Sequence, residues 1–145
     1  MDREREGGAH GGRYLVVATG EHLCAMAVEQ VRSVVPALTV VPCPATDPNL
    51  LGLAEYGGEP LPVLDLAALV GAPAGAVAEF PVTVVVRTRG EGGSVGLAAD
   101  AAVGVVEVPP HLTATGSGLV QARGTWQGTV LHVLELAALG GERRQ

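Results

Sequence analysis

The chain has 145 residues, enough for one domain or two small lobes sharing a core. Hydrophobic residues make up 48% and aromatics only 3%, so any core must be built from Val, Leu and Ala. Fifteen acids against nine arginines give a formal charge of -6, and this acidic, aromatic-poor balance argues against nucleic-acid binding. No apolar run approaches the ~18 residues that a membrane helix needs. With Cys24 and Cys43 as the only cysteines and no apolar leader in "MDREREGGAHGG", a reducing cytoplasm is the expected compartment.

In chain order, residues 1–12 read as a polar, glycine-rich disordered tail. "YLVVATG" reads as a strand ending in a glycine turn. "LCAMAVEQVRSVVP" offers helical spacing at Val28, Val31 and Val34/Val35, but its valines and the terminating Pro36 favour a strand with a bulge. "GLAEYGGEPLPVLDL" is strand, tight turn, strand, with its tip at Glu55–Glu59. Val82 to Thr88 is the clearest single strand, followed by a Gly90–Gly93 hairpin tip. "SVGLAADAAVGVVEVPP" and "GTVLHVLEL" add further strands, and residues 142–145 form a flexible tail. Short β-branched runs punctuated by Gly and Pro indicate an all-β sandwich or barrel.

The chain also repeats itself. "YGGEPLPVLDLAALVG" (56–71) lies over "WQGTVLHVLELAALGG" (126–141) at a constant offset of 70. Upstream, Met26–Glu29 aligns with Leu97–Asp100, and Val34-Val35 with Val105-Val106, at an offset of 71. Two copies of one β unit are too few for a solenoid. They suit two small barrels packed side by side, each closing its sheet. The expected lobes run from about 14 to 72 and from about 80 to 140 within one domain at 13–141, with exchange of terminal strands left open. In each copy Asp65 or Glu135 precedes "LAAL", where a carboxylate caps a helical turn.

Catalytic signals are thin. "GGSVG" formally matches a nucleophile elbow at Ser94, but that motif needs a strand before it and a helix after it, and here an apolar strand follows. His10, His22, His111 and His132 are scattered without metal-ligand spacing and read as surface or turn residues, His132 partly buried. Asp65 and Glu135 are explained by local capping rather than acid–base chemistry. No enzyme, metal or cofactor is expected.

The ordered segments resemble the CheW-like domain of bacterial chemosensory systems. The resemblance rests on Val28-Glu29-Gln30-Val31-Arg32-Ser33-Val34, the Pro-rich "VPCPATDPNLLG", and the hairpin Gly52–Gly58. It continues through Leu61-Pro62-Val63-Leu64-Asp65-Leu66, Val95–Asp100, Val103–Val106 and Val133–Leu136, covering about Tyr14 to Leu139. It implies two five-stranded SH3-like barrels with short helical turns, and a non-catalytic adaptor between chemoreceptor tips and a CheA-type histidine kinase. The implied receptor groove is lined by Val28, Val31, Val34, Val35, Leu97, Ala99 and Val103. The implied surface for the kinase's regulatory domain is Leu53, Glu55, Tyr56, Gly57 and Gly58.

Departures from the family pattern cluster at three positions. The hairpin arginine is Gly57, the asparagine two residues earlier is Glu55, and the acid expected after Val31-Arg32 is Ser33. Joint loss of an arginine and a carboxylate avoids stranding one charge, and it implies weakened kinase coupling. The alternative is a divergent interaction module that keeps the fold but serves another partner outside the receptor–kinase array.

Overall fold

A computed structural model describes residues 12–44, 48–72, 81–88, 93–107, 112–115 and 118–139. Both expected tails, except Gly12, and most of the Gly90–Gly93 tip lie outside these residues, as do His10 and His111. The order is β1 (Arg13–Thr19), β2 (His22–Ala27), a 3-10 turn (Val28–Gln30), β3 (Val31–Pro36), β4 (Leu50–Tyr56), β5 (Glu59–Asp65) and α1 (Leu66–Val70). There follow β6 (Val82–Arg87), β7 (Ser94–Ala99), β8 (Ala101–Glu107), β9 (Thr113–Ala114), β10 (Val120–Trp126), β11 (Thr129–Leu134) and a closing 3-10 turn (Leu136–Ala138). The all-β expectation holds. The run at 28–35 resolves into both of its readings, a helical turn over Val28–Gln30 and then a strand whose register shifts between Val31 and Ser33.

The strands form a six-stranded sheet, β8-β1-β2-β11-β10-β9, and a five-stranded sheet, β3-β6-β7-β5-β4. The sequence repeat maps β1–β5 onto β6, β7, β8, β10 and β11, and the two orders then become the same order with the copies interchanged. Each sheet therefore takes its β1/β2-type strands from one copy and its β3-, β4- and β5-type strands from the other, with β9 added at the edge of the six-stranded sheet. The copies meet at the antiparallel pairings β1–β8 and β3–β6 and at two parallel seams, β2 with β11 and β5 with β7.

This exchange explains the valine runs. One buried cluster lies between the sheets and includes Leu15, Val17, Met26, Val84, Val86, Leu97, Leu66 and Leu136. A second is gathered by the six-stranded sheet around Tyr14, Val16, Leu131 and Val133, and a third by the five-stranded sheet around Leu61, Val63, Val85 and Ala98. β1 and β6 thus bury both faces, which is why Leu15–Val17 and Val84–Val86 run without alternation. Three clusters of this kind are compatible with two small closed sheets. β10 escapes a search for valine runs because Gln121, Arg123 and Gly124 interrupt it and only one of its faces is covered.

Candidate functional site

β3 and β8 are repeat mates, and each is the outer strand of its sheet at the end beside β6 or β1. Their alternation places Val34 on the solvent side of β3, and Val103 and Val105 on the solvent side of β8. These valines are 40%, 50% and 51% exposed, a large apolar exposure for a chain with so many buried valines. Val28 and Val31 are half-buried, Val31 resting on the inter-sheet cluster, and Val35 turns inward onto the five-stranded sheet's own cluster. Leu97 and Ala99 are corrections. Both are 0% exposed within the inter-sheet cluster, because β7 is a central strand flanked by β6 and β5. They support the surface rather than line it. Val105 was absent from the expected set, although its i, i+2 spacing from Val103 places it on the same face.

The hairpin tip is built by backbone geometry. Gly57 and Gly58 have φ of 62° and 84°, and positive φ at both central residues is the requirement of a type I′ hairpin turn. The repeat mates Gln127 and Gly128, at 53° and 82°, make the same turn. Leu53 and Glu55 are exposed along β4, while Tyr56 is half-buried.

Ser33, remote in sequence from that tip, is brought to it: its Oγ lies 2.6 Å from Tyr56 Oη. Beside it Arg32 Nη1 donates to Ser94 Oγ at 2.7 Å. Arg32, Tyr56, Gly57, Glu59, Pro60, Leu61 and Ser94 enclose a polar recess of about 420 Å³. Ser94 is the first residue of β7 with its hydroxyl engaged by a guanidinium, and it leads into the strands β7 and β8 rather than into a helix. Asp65 Oδ1 accepts from Ala68 N–H and Glu135 Oε2 from Ala137 N–H, each at 3.3 Å, the expected capping roles. The arrangement offers apolar edges and a hydrogen-bonded tip, which are means of binding rather than of bond-breaking. Sequence reasoning missed the convergence of Arg32 and Ser94, because their contact depends on β3, β6 and β7 being neighbours.

His22 and His132 are not scattered. His22 Nδ1 lies 2.8 Å from His132 Nε2 across the β2–β11 seam, and His132 is fully buried. Among the described residues no three His, Cys, Asp or Glu side chains are grouped to hold a metal ion. None of the described helices is long and apolar enough to cross a membrane.

Comparison with known proteins gives a consistent result. The family model of the CheW-like domain matches residues 13–144. The fold is similar to that of the scaffolding protein TtCheW from Thermoanaerobacter tengcongensis, with a TM-score of 0.69 at 20% identity over 87% of this chain and 90% of that one. No curated protein matches the sequence. With the family model spanning both sheets and both seams, the chain belongs to the CheW-like domain family, the non-catalytic scaffolds of chemotaxis signal transduction.

Proposed function

We propose that this protein couples the cytoplasmic tips of chemoreceptors to a CheA-type histidine kinase, working in the cytoplasm, with its kinase contact weakened. The exposed valines of β3 and β8 carry the receptor half of this reading. A helical tip laid against Val34, Val103 and Val105, with Val28 and Val31 beneath, would bury apolar surface that the monomer leaves in water. The kinase half rests on the tip formed by Leu53, Glu55, Tyr56, Gly57 and Gly58. There the neutral Ser33–Tyr56 bridge stands where the family pattern carries a carboxylate and a nearby arginine.

Binding of a receptor cytoplasmic fragment and of the kinase regulatory domain, measured separately, tests the two halves. Receptor binding at tens of micromolar or tighter is expected, with a loss of about tenfold or more in Val34→Glu or Val103→Glu. Absence of binding to both partners would defeat the adaptor reading. The double substitution Ser33→Glu with Gly57→Arg is expected to strengthen kinase binding, and unchanged affinity would remove the explanation by a lost pair. A second reading, a divergent module serving another partner outside the receptor–kinase array, is favoured by the same arginine-free tip and predicts binding to neither the receptor fragment nor the kinase domain.

A further inference from the structure

The β2–β11 seam carries a polar chain, centred on the buried His132, that the adaptor reading does not use. Along β2, His22, Cys24 and Met26 share one face, and in the parallel register Cys24 lies beside His132 of β11. His22 is thereby one step diagonal to His132, and their rings meet with Nδ1 and Nε2 2.8 Å apart. On the other side, β10 sets Arg123 opposite His132, and Arg123 Nε lies 3.1 Å from His132 Nδ1.

The proton count of this chain is fixed by chemistry. A guanidinium can only donate, so His132 Nδ1 must be the acceptor. A neutral imidazole then carries its single proton on Nε2, and that N–H must donate to His22 Nδ1. His22 Nδ1 must therefore offer a lone pair. A proton added to His22 at Nδ1 sets N–H against N–H, and a proton added to His132 at Nδ1 sets N–H against the Arg123 N–H. Neither can be absorbed without breaking a bond of the chain.

We infer that Arg123, His132 and His22 form a proton-counted lock on the parallel β2–β11 seam, closed while His132 is neutral and opened when acid protonates it. The other seam has no counterpart, since Pro62 stands where His132 stands and β5 meets β7 through Val63, Leu64 and Asp65. The groups around the lock favour the neutral state. From β1, Thr19 is paired with His22 in register and its buried hydroxyl has no partner among the described residues; from β2, Cys24 is a buried neutral thiol. Across the inter-sheet core β6, β7 and α1 present Val84, Val86, Leu97, Ala99, Leu66 and Val70. Glu21 precedes His22 in an exposed turn, and Asp100 uses Oδ2 to accept from Gly20 N–H at 3.0 Å. Burial, then Arg123, then His22 lower the His132 pKa from 6.5 to about 4.

The sign follows from linkage. Between pH 6.5 and about 4 the unfolded chain binds a proton at His132 that the folded chain refuses, so stability falls as pH falls through that window. From this group alone the unfolding constant rises roughly 20-fold between pH 7 and pH 5.

Long-range proton–nitrogen correlation of the imidazoles in the full chain at pH 7.5 tests the proton count. The expected result is His132 protonated at Nε2 only, and His22 unprotonated at Nδ1. A His132 protonated at Nδ1 would overturn the lock. Urea unfolding at pH 7 and pH 5 tests the consequence: the wild-type loss is expected to exceed that of His132→Leu by roughly 20-fold in the unfolding constant. Equal pH dependence in the two proteins would also overturn it. If His132→Leu does not fold, Arg123→Gln changes only an exposed side chain. Its glutamine can donate or accept, so mixed His132 tautomers are expected, and retention of the pure wild-type tautomer would count against Arg123 as the determinant.

Discussion

Gly52 shows how one missing side chain can hold a crossing together. Segment 37–42 returns over β4 by a single bridge, Val41 N–H to Leu53 O at 2.8 Å and Leu53 N–H to Val41 O at 2.9 Å. A Cβ on Gly52 would stand 2.2 Å from the Val41 carbonyl oxygen and 2.9 Å from Pro42 Cα, both backbone atoms that cannot rotate away. Gly52→Ala is therefore expected to cost about 2 kcal/mol or more in urea unfolding, and to release the bridge as seen by amide exchange at Leu53. Gly57 is a different case. A Cβ there meets nothing within 4 Å, and Gln127 occupies the same φ region in the second copy. Gly57→Asn should stay within about 0.5 kcal/mol of the wild type, whereas Gly57→Val should lose about 1–2 kcal/mol because β-branching resists positive φ. The Gly57→Arg exchange carries a similar but smaller penalty, so its effect on kinase affinity must be read against its measured stability.

At the scale of elements, α1 has only five residues, too few to persist without tertiary support. Asp65 accepts from Ala68 N–H at its start, Gly71 closes it at φ of 72°, and Leu66 and Val70 anchor it in the inter-sheet cluster. Asp65→Ala should cost about 1 kcal/mol through the lost cap, and Leu66→Ala about 2–5 kcal/mol through the cavity left in the core. Both values can be measured by chemical denaturation. A reversed ranking would mean that the turn is held by its cap rather than by its apolar face. The β3–hairpin junction has a sharper test. Ser33→Ala and Tyr56→Phe, alone and together, should show a coupling of about 0.5–1.5 kcal/mol, since either single change removes the same 2.6 Å bond.

For the whole molecule, the inter-sheet cluster decides the fate of Cys24. Burial raises its thiol pKa from 9.0 to about 12, so the folded chain keeps a proton that the unfolded chain releases. Stability is then complete below pH 9 and declines as pH rises from 9 toward 12. Cys24→Ala should show a shallower alkaline decline in a pH series of melting curves. In the native protein a thiol-alkylating reagent should modify the half-buried Cys43 and spare Cys24 until the sheets separate. Equal labelling of both would mean that the core opens readily.

Much of this architecture can be read from the chain alone. The strands, their turns, the two carboxylate caps and the duplication follow from valine runs, Gly/Pro punctuation and a constant offset, because these are local or self-similar signals. The family pattern likewise directs attention to Ser33, Glu55 and Gly57 before any contact is known. What the chain does not encode locally is which copy supplies each strand. The β1/β2-type strands of both copies carry interchangeable apolar patterns, so periodicity cannot distinguish a sheet built from one copy from a sheet that borrows two strands from the other. Tertiary structure alone settled that exchange. It buried Leu97 and Ala99 on both sides, left Val34, Val103 and Val105 on outer strands, and brought Ser33 to the tip of a distant hairpin. It also joined two histidines 110 positions apart on a parallel seam, a pairing that carries no spacing signal because parallel neighbours can be any distance apart in sequence.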